Sequence, residues 1–77
     1  MNIPHKIQAL LEYPLEHVKD PILYHLVKDY ELVPNIHRAK IDAHEGGMLE
    51  LELTGERDNL FAGLEYLKDQ GVKVTEL

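Results

Sequence analysis

The sequence predicts an α+β sandwich: one four-stranded antiparallel sheet with two helices packed on one of its faces. Three observations carry this. Two stretches, 22–30 and 60–67, repeat apolar residues at helical spacing. Other stretches alternate apolar and polar residues at period two. A Glu45-Gly46-Gly47 turn signal stands near the middle, with a strand–helix–strand pattern weakly repeated on either side.

In chain order, residues 6–13 place Ile7, Ala9, Leu11 and Tyr13 at period two, a strand with one buried face. Leu10 falls on the opposite face, and Pro14, which cannot donate to a ladder, ends the run. Asp20-Pro21 reads as a helix start, an N-cap acceptor followed by proline at the first helical position. Ile22, Leu23, Leu26, Val27 and Tyr30 form one helical stripe, running to about Tyr30. Leu32 to His44 reads as a strand in which Ala39, Ile41 and Ala43 alternate with Arg38, Lys40, Asp42 and His44. Ile36 has the wrong parity for that set. Either a bulge lies between Ile36 and Ala39, or Ile36 faces away from the helices.

After the glycine turn, Leu49, Leu51 and Leu53 alternate with Met48, Glu50, Glu52 and Thr54, the partner strand of a hairpin. Asp58-Asn59 opens a second helix with the apolar stripe Leu60, Phe61, Leu64 and Leu67 and the small neighbours Ala62 and Gly63. Lys68 belongs in its last turn, and Gly71 is the expected glycine just past its end. Val72, Val74 and Leu77 surround a last short strand. The order strand, helix, strand, strand, helix, strand, joined by two right-handed crossovers, gives the ferredoxin-like βαββαβ sandwich. Its second sheet face is uncovered. Leu10, Ile36 and Met48 are expected on or near that face, and an apolar surface left open on so small a sheet predicts pairing with a second copy.

Length and composition bound the function. The 77 residues make one domain, 1–77, with its core in 6–77. Hydrophobic residues are 44% and charged residues 29%, which excludes disorder. There is no cysteine, so the chain holds no disulfide, iron–sulfur cluster, zinc ribbon or thiol nucleophile of its own, and no cofactor is expected. A net charge of −6 makes nucleic acid and anionic membranes poor partners. No apolar run is long enough to span a bilayer, and the first residues lack the apolar core of a signal peptide, so the expected compartment is the cytoplasm.

The catalytic motifs are missing. The five histidines, His5, His17, His25, His37 and His44, show no i, i+4 pair on one helix and no compact grouping with a carboxylate, so they read as surface residues and not as a metal site. Glu50 and Glu52 alternate with the core leucines and read as a solvated face rather than an acid/base pair. Gly46-Gly47 has no following lysine and serine or threonine, so it is a turn and not a phosphate loop. The chain has no serine at all. A non-enzyme is expected. One segment, Pro34-Asn35-Ile36-His37-Arg38-Ala39-Lys40-Ile41, puts an asparagine at the mouth of a strand. An amide both donates and accepts, which suits the zwitterionic head of an amino acid; the other reading is that Asn35 caps a turn.

Over residues 6–77 the sequence resembles the NIL domain family, named for an Asn-Ile-Leu motif. Asn35-Ile36 matches its first two positions, and His37 stands where the leucine usually does. The resemblance also runs through Asp20-Pro21-Ile22, Val27-Lys28-Asp29-Tyr30, Leu49-Glu50-Leu51-Glu52-Leu53-Thr54-Gly55, Leu64-Glu65-Tyr66-Leu67 and Gly71-Val72-Lys73-Val74. NIL domains occur on the ATPase of methionine-importing ABC transporters, where they pair with a twin and bind methionine near the dimer interface to inhibit transport. They also occur fused to ferredoxins linked to sulfur incorporation into homocysteine, and the stretch 22–40 looks closer to that group. The resemblance implies a homodimer that binds methionine or a related sulfur amino acid. Asn35 would hold the head group, Ile36 and Met48 would contact the thioether tail, and His37 would line the pocket. The alternative it implies is an interaction module, without a small ligand, for a transporter or a ferredoxin-type sulfur-transfer partner.

Overall fold

The computed structural model describes residues 4–14, 16, 21–42 and 44–77. The elements are β1 (His5–Tyr13), α1 (Ile22–Lys28), β2 (Val33–Asp42), β3 (Gly46–Gly55), α2 (Arg57–Asp69) and β4 (Lys73–Glu76). They form one four-stranded sheet in the order β2-β3-β1-β4, antiparallel throughout. This is the ferredoxin-like α+β architecture that the element order predicts.

Period two decides which side chains meet the helices. Ala9 and Leu11 of β1 and Leu49, Leu51 and Leu53 of β3 are buried against Ile22 and Leu26 of α1 and Leu60 and Leu67 of α2. Leu32 and Val72, in the connections after each helix, complete this core. Tyr13 lies opposite Gly47, and its ring occupies the space that a side chain at 47 would need. Gly46, with φ 103°, makes the hairpin turn that only glycine adopts cheaply.

The end of α2 is as the sequence implies. Gly71 has φ 83°, its N–H donates to Lys68 O at 3.0 Å, and the Val72 N–H donates to Leu67 O at 2.9 Å. These are the two bonds of a Schellman cap, which satisfies carbonyls the helix cannot. Lys68 sits in the last turn. The start differs by one residue: α2 begins at Arg57. The first helix is shorter than its stripe suggests. It ends at Lys28, and Tyr30 packs on the core from a turn. The chain then passes through Glu31, a non-glycine residue in the left-handed region at φ 55°. The expected Asp20 N-cap lies outside the described residues; Pro21 immediately precedes the helix and gives no side-chain cap. Val27 and Phe61, placed in apolar stripes by spacing alone, are exposed on the flanks of their helices.

The largest departure is β2. Ala39 and Ile41 alternate with polar residues as the sequence implies, yet both are exposed, and no residue of β2 is fully buried. Ala43, the third of that set, lies outside the described residues. The reason is length. Seven helical residues give α1 a reach of about 10 Å, whereas the ten-residue β2 is about 33 Å long, so the helix cannot cover it. β2 is also a free edge, hydrogen-bonded on one side only.

Candidate ligand-binding site

The motif segment occupies the middle of this edge strand. Its ladder to β3 slips between Ile36, opposite Leu51, and Arg38, opposite Glu50. Two steps on β2 therefore match one on β3, and His37 is the extra residue of a β-bulge. The bulge resolves the parity conflict: Ile36 and Ala39, three residues apart, share the helix-side face with Leu51 and Leu49. The expectation that Ile36 faces or adjoins the open face is thereby corrected. Asn35, opposite Glu52, is on the open face, and the exposed ring of His37 belongs to the bulge. Pro34 is tolerated because an edge strand leaves one side of its backbone unpaired.

Register also lays out the open face in rows. Lys40, Met48, Glu12 and Lys73 are cross-strand neighbours in one row. Arg38, Glu50, Leu10 and Thr75 form the next. Asn35, Glu52 and Gln8 form a third. Leu10 and Met48 are half-buried among charges, so the face is not a continuous apolar patch. The large apolar side chains left exposed in the sheet are instead Val33, Ile36 and Ile41, all on β2. Arg38 Nη2 approaches Glu50 Oε1 at 3.8 Å, a long surface pair worth at most about 1 kcal/mol. Met48 lines a hollow of about 400 Å³ with Lys40, Glu12 and Lys73.

Of the expected ligand residues, the chain brings Asn35 and Met48 to one face but not to one place. Glu52, the partner of Asn35, is four residues from Met48 along β3, about 13 Å. Ile36 points to the other side. A single chain offers a row of donors, acceptors and one thioether on this face.

The hairpin end has its own electrostatics. The backbone N–H groups of His44 and Glu45 donate to Asp42 Oδ1 at 2.7 and 3.1 Å. The His44 bond first, then the Glu45 bond and nearby Lys40, hold the Asp42 carboxyl below its ordinary value of 3.8, against a small opposing effect of desolvation. A folded value below the unfolded one stabilises the turn above the unfolded value, and that stabilisation is lost as pH falls through the folded value. Acid titration followed at the His44 amide by NMR should show its bond released with a midpoint below 3.8. A midpoint at or above that value would mean the carboxylate does not cap the turn.

One histidine escaped the sequence reading. His25 Nδ1 and Asp29 Oδ2 lie 2.8 Å apart, an i, i+4 pair one turn along the first helix. The His25 ring also lies edge-on to Tyr24 and tilted against Tyr66. The i, i+4 spacing to Asp29 was the available signal. His5, His37 and His44 are exposed, and His17 lies outside the described residues. Among the described residues, no three His, Asp or Glu side chains come together as a metal would require. No helix among them is long and apolar enough to cross a membrane.

Comparison with known proteins agrees with this geometry. Residues 9–76 match the model of the NIL domain. A methionine import ATP-binding protein MetN of Cupriavidus pinatubonensis is 37% identical over 70 residues, 87% of this chain and 20% of that protein. MetN of Burkholderia thailandensis is 40% identical over 63 residues, 78% of this chain and 18% of that one. The chain thus spans about a fifth of these relatives. Among solved structures, the C-terminal domain of an ABC transporter ATP-binding protein from Enterococcus faecalis superposes with a TM-score of 0.80 and 27% identity, covering 92% of this chain and 82% of that one. The match spans all but the ends of the chain and includes the bulged Asn35-Ile36 segment, and the chain belongs to the NIL domain family.

Proposed function

We propose that the chain is a regulatory, non-catalytic domain that works on the cytoplasmic side with the ATPase of a methionine importer, and that it binds methionine or a closely related sulfur amino acid where two copies meet. The observation that carries this reading is Asn35 on an uncovered edge strand, where a single chain leaves the site half built. The relatives' names supply the ligand class.

The edge explains the dimer better than the open face does. β2 presents a row of unpaired backbone groups and the exposed Val33, Ile36 and Ile41. A two-fold axis at the bulge, the midpoint of Val33–Asp42, pairs β2 with its copy along its whole length. Asn35 is then opposite the partner's Lys40, and the partner's Met48 is one strand further, about 10 Å from Asn35. The Asn35 amide and that ammonium hold an amino-acid head, and the thioether tail lies toward the partner's Met48. His37 sits at the axis, so it lines the same interface.

Calorimetry with methionine and light scattering at tens of micromolar test both halves. The expected results are a dimer, measurable heat, and binding weakened by about 1–3 kcal/mol in Asn35→Ala, the cost of stranding a buried polar group. Methionine should bind far better than its decarboxylated amine, and His37→Leu should tighten binding. A monomer, or no heat and no chemical-shift change at millimolar methionine, would overturn the reading.

A further inference from the structure

β1 is longer than the strand beside it. Its nine residues pair with β3 from end to end, but β4 covers only residues 9–12, and the Leu77 N–H adds one bond to Gln8 O at 2.8 Å. That bond sets the phase. Successive residues of an antiparallel strand direct their N–H and C=O to alternate sides, so Gln8, Leu10 and Glu12 turn theirs to β4, and Ile7, Ala9 and Leu11 turn theirs to β3. Lys6 shares the parity of Gln8. Its N–H and C=O therefore point into the line of β4, past Leu77, where no described residue pairs with it.

The side chains alternate too. Ile7, opposite Leu53, faces the helices, and Lys6, opposite Thr54, faces the open side. Ile7, Leu60, Phe61 and Leu64 line a hollow of about 340 Å³ beside the first half of α2, bounded along β4 by Glu76. Phe61, 60% exposed and the chain's one phenylalanine, is a wall of it. A strand in line with β4 places the side chain opposite Ile7 in this hollow. Added strands use both features, main-chain bonds for affinity and pockets for alternate side chains for specificity. We infer that this corner is a docking site for an extended peptide strand of a partner protein, running in line with β4 and antiparallel to β1, with a large apolar residue opposite Ile7 followed by an acidic residue opposite Lys6. Such a strand continues the β1–β4 ladder in its existing register. Charge chooses the occupant. Lys6 makes no ion pair with a described residue, and its neighbour on β3 is the uncharged Thr54, so a carboxylate on the vacant side complements it. A second copy fails the same test. Self-pairing through the free Lys6 backbone sets Lys6 opposite its own counterpart, and like charges directly opposite are destabilising. The corner is at the far edge of the sheet from β2, so it does not depend on the reading of Asn35.

The probe is acetyl-Leu-Glu-Val-amide, titrated into the millimolar range and followed by amide chemical shifts and amide exchange. It should shift Lys6, Ile7, Phe61 and Leu64, and slow exchange of the Lys6 N–H. Methylating the nitrogen of the peptide's glutamate removes the N–H that donates to Lys6 O and should abolish binding. Glutamine in place of that glutamate should weaken binding about two- to fivefold, the weight of one exposed ion pair, and added salt should shrink the difference. Phe61→Ser, an exposed change that leaves the fold intact, should weaken every peptide. Appending the same three residues after Leu77 should fill the hollow from within, protecting the Lys6 amide and excluding the free peptide. Shifts centred on Val33 and Ile36 would place the peptide on the β2 edge and overturn the site. So would equal binding of the methylated peptide, no shift at millimolar peptide, or a Lys6 amide left unprotected in the extended chain.

Discussion

Replacing Leu51 with alanine should lower the stability of the domain by about 2–5 kcal/mol, the combined cost of lost burial and of the cavity left behind. Leu51 is 0% exposed and sits in a central strand, with Ala9 on one side and Ile36 on the other. A domain of this size has roughly 4–12 kcal/mol in total, so the variant should unfold at a much lower urea concentration with an unchanged slope. Ile36→Ala removes a side chain from the same face, but one that is 46% exposed, so its cost should be far smaller. A loss under about 1 kcal/mol at Leu51 would mean that the burial phase of β3 is wrong.

Gly63→Val should cost about 1–3 kcal/mol, because it overfills the contact between α2 and the segment that follows α1. Gly63 is buried in the interior of α2, where glycine itself is unfavourable by up to about 1 kcal/mol. Its retention has a packing reason: a Cβ there would stand 2.7 Å from Leu32 Cδ1 and 3.3 Å from Leu26 Cδ2. Both leucines are fully buried and cannot swing their ends into solvent. Gly63→Ala sets the gain in helix propensity against one crowded methyl, so thermal unfolding should show a net change within about 1 kcal/mol. A valine variant as stable as the parent would mean that α2 does not approach Leu32 so closely.

Much of the segment 34–41 could be read without the structure, and the part that could not is instructive. The conflict between Ile36 and Ala39 was visible as a parity error, and a bulge was one of its two solutions. Sequence could not choose between them, because parity within a strand is local while the choice depends on which β3 residue each one opposes. For the same reason Asn35 and Met48 could be assigned to one ligand site, yet the register separates them by four residues of β3.

The sequence by itself determined the element order, the burial phase of β1 and β3, the glycine turn at Gly46 and the cap at Gly71. Each of these rests on a spacing of a few residues or on one residue's permitted backbone angles. The tertiary structure decided what β2 is. Ala39 and Ile41 alternate as core residues do, but burial needs something to pack against, and the short α1 stops before it reaches them. Alternation dictates which face a side chain takes; only the assembled layers determine whether that face is covered.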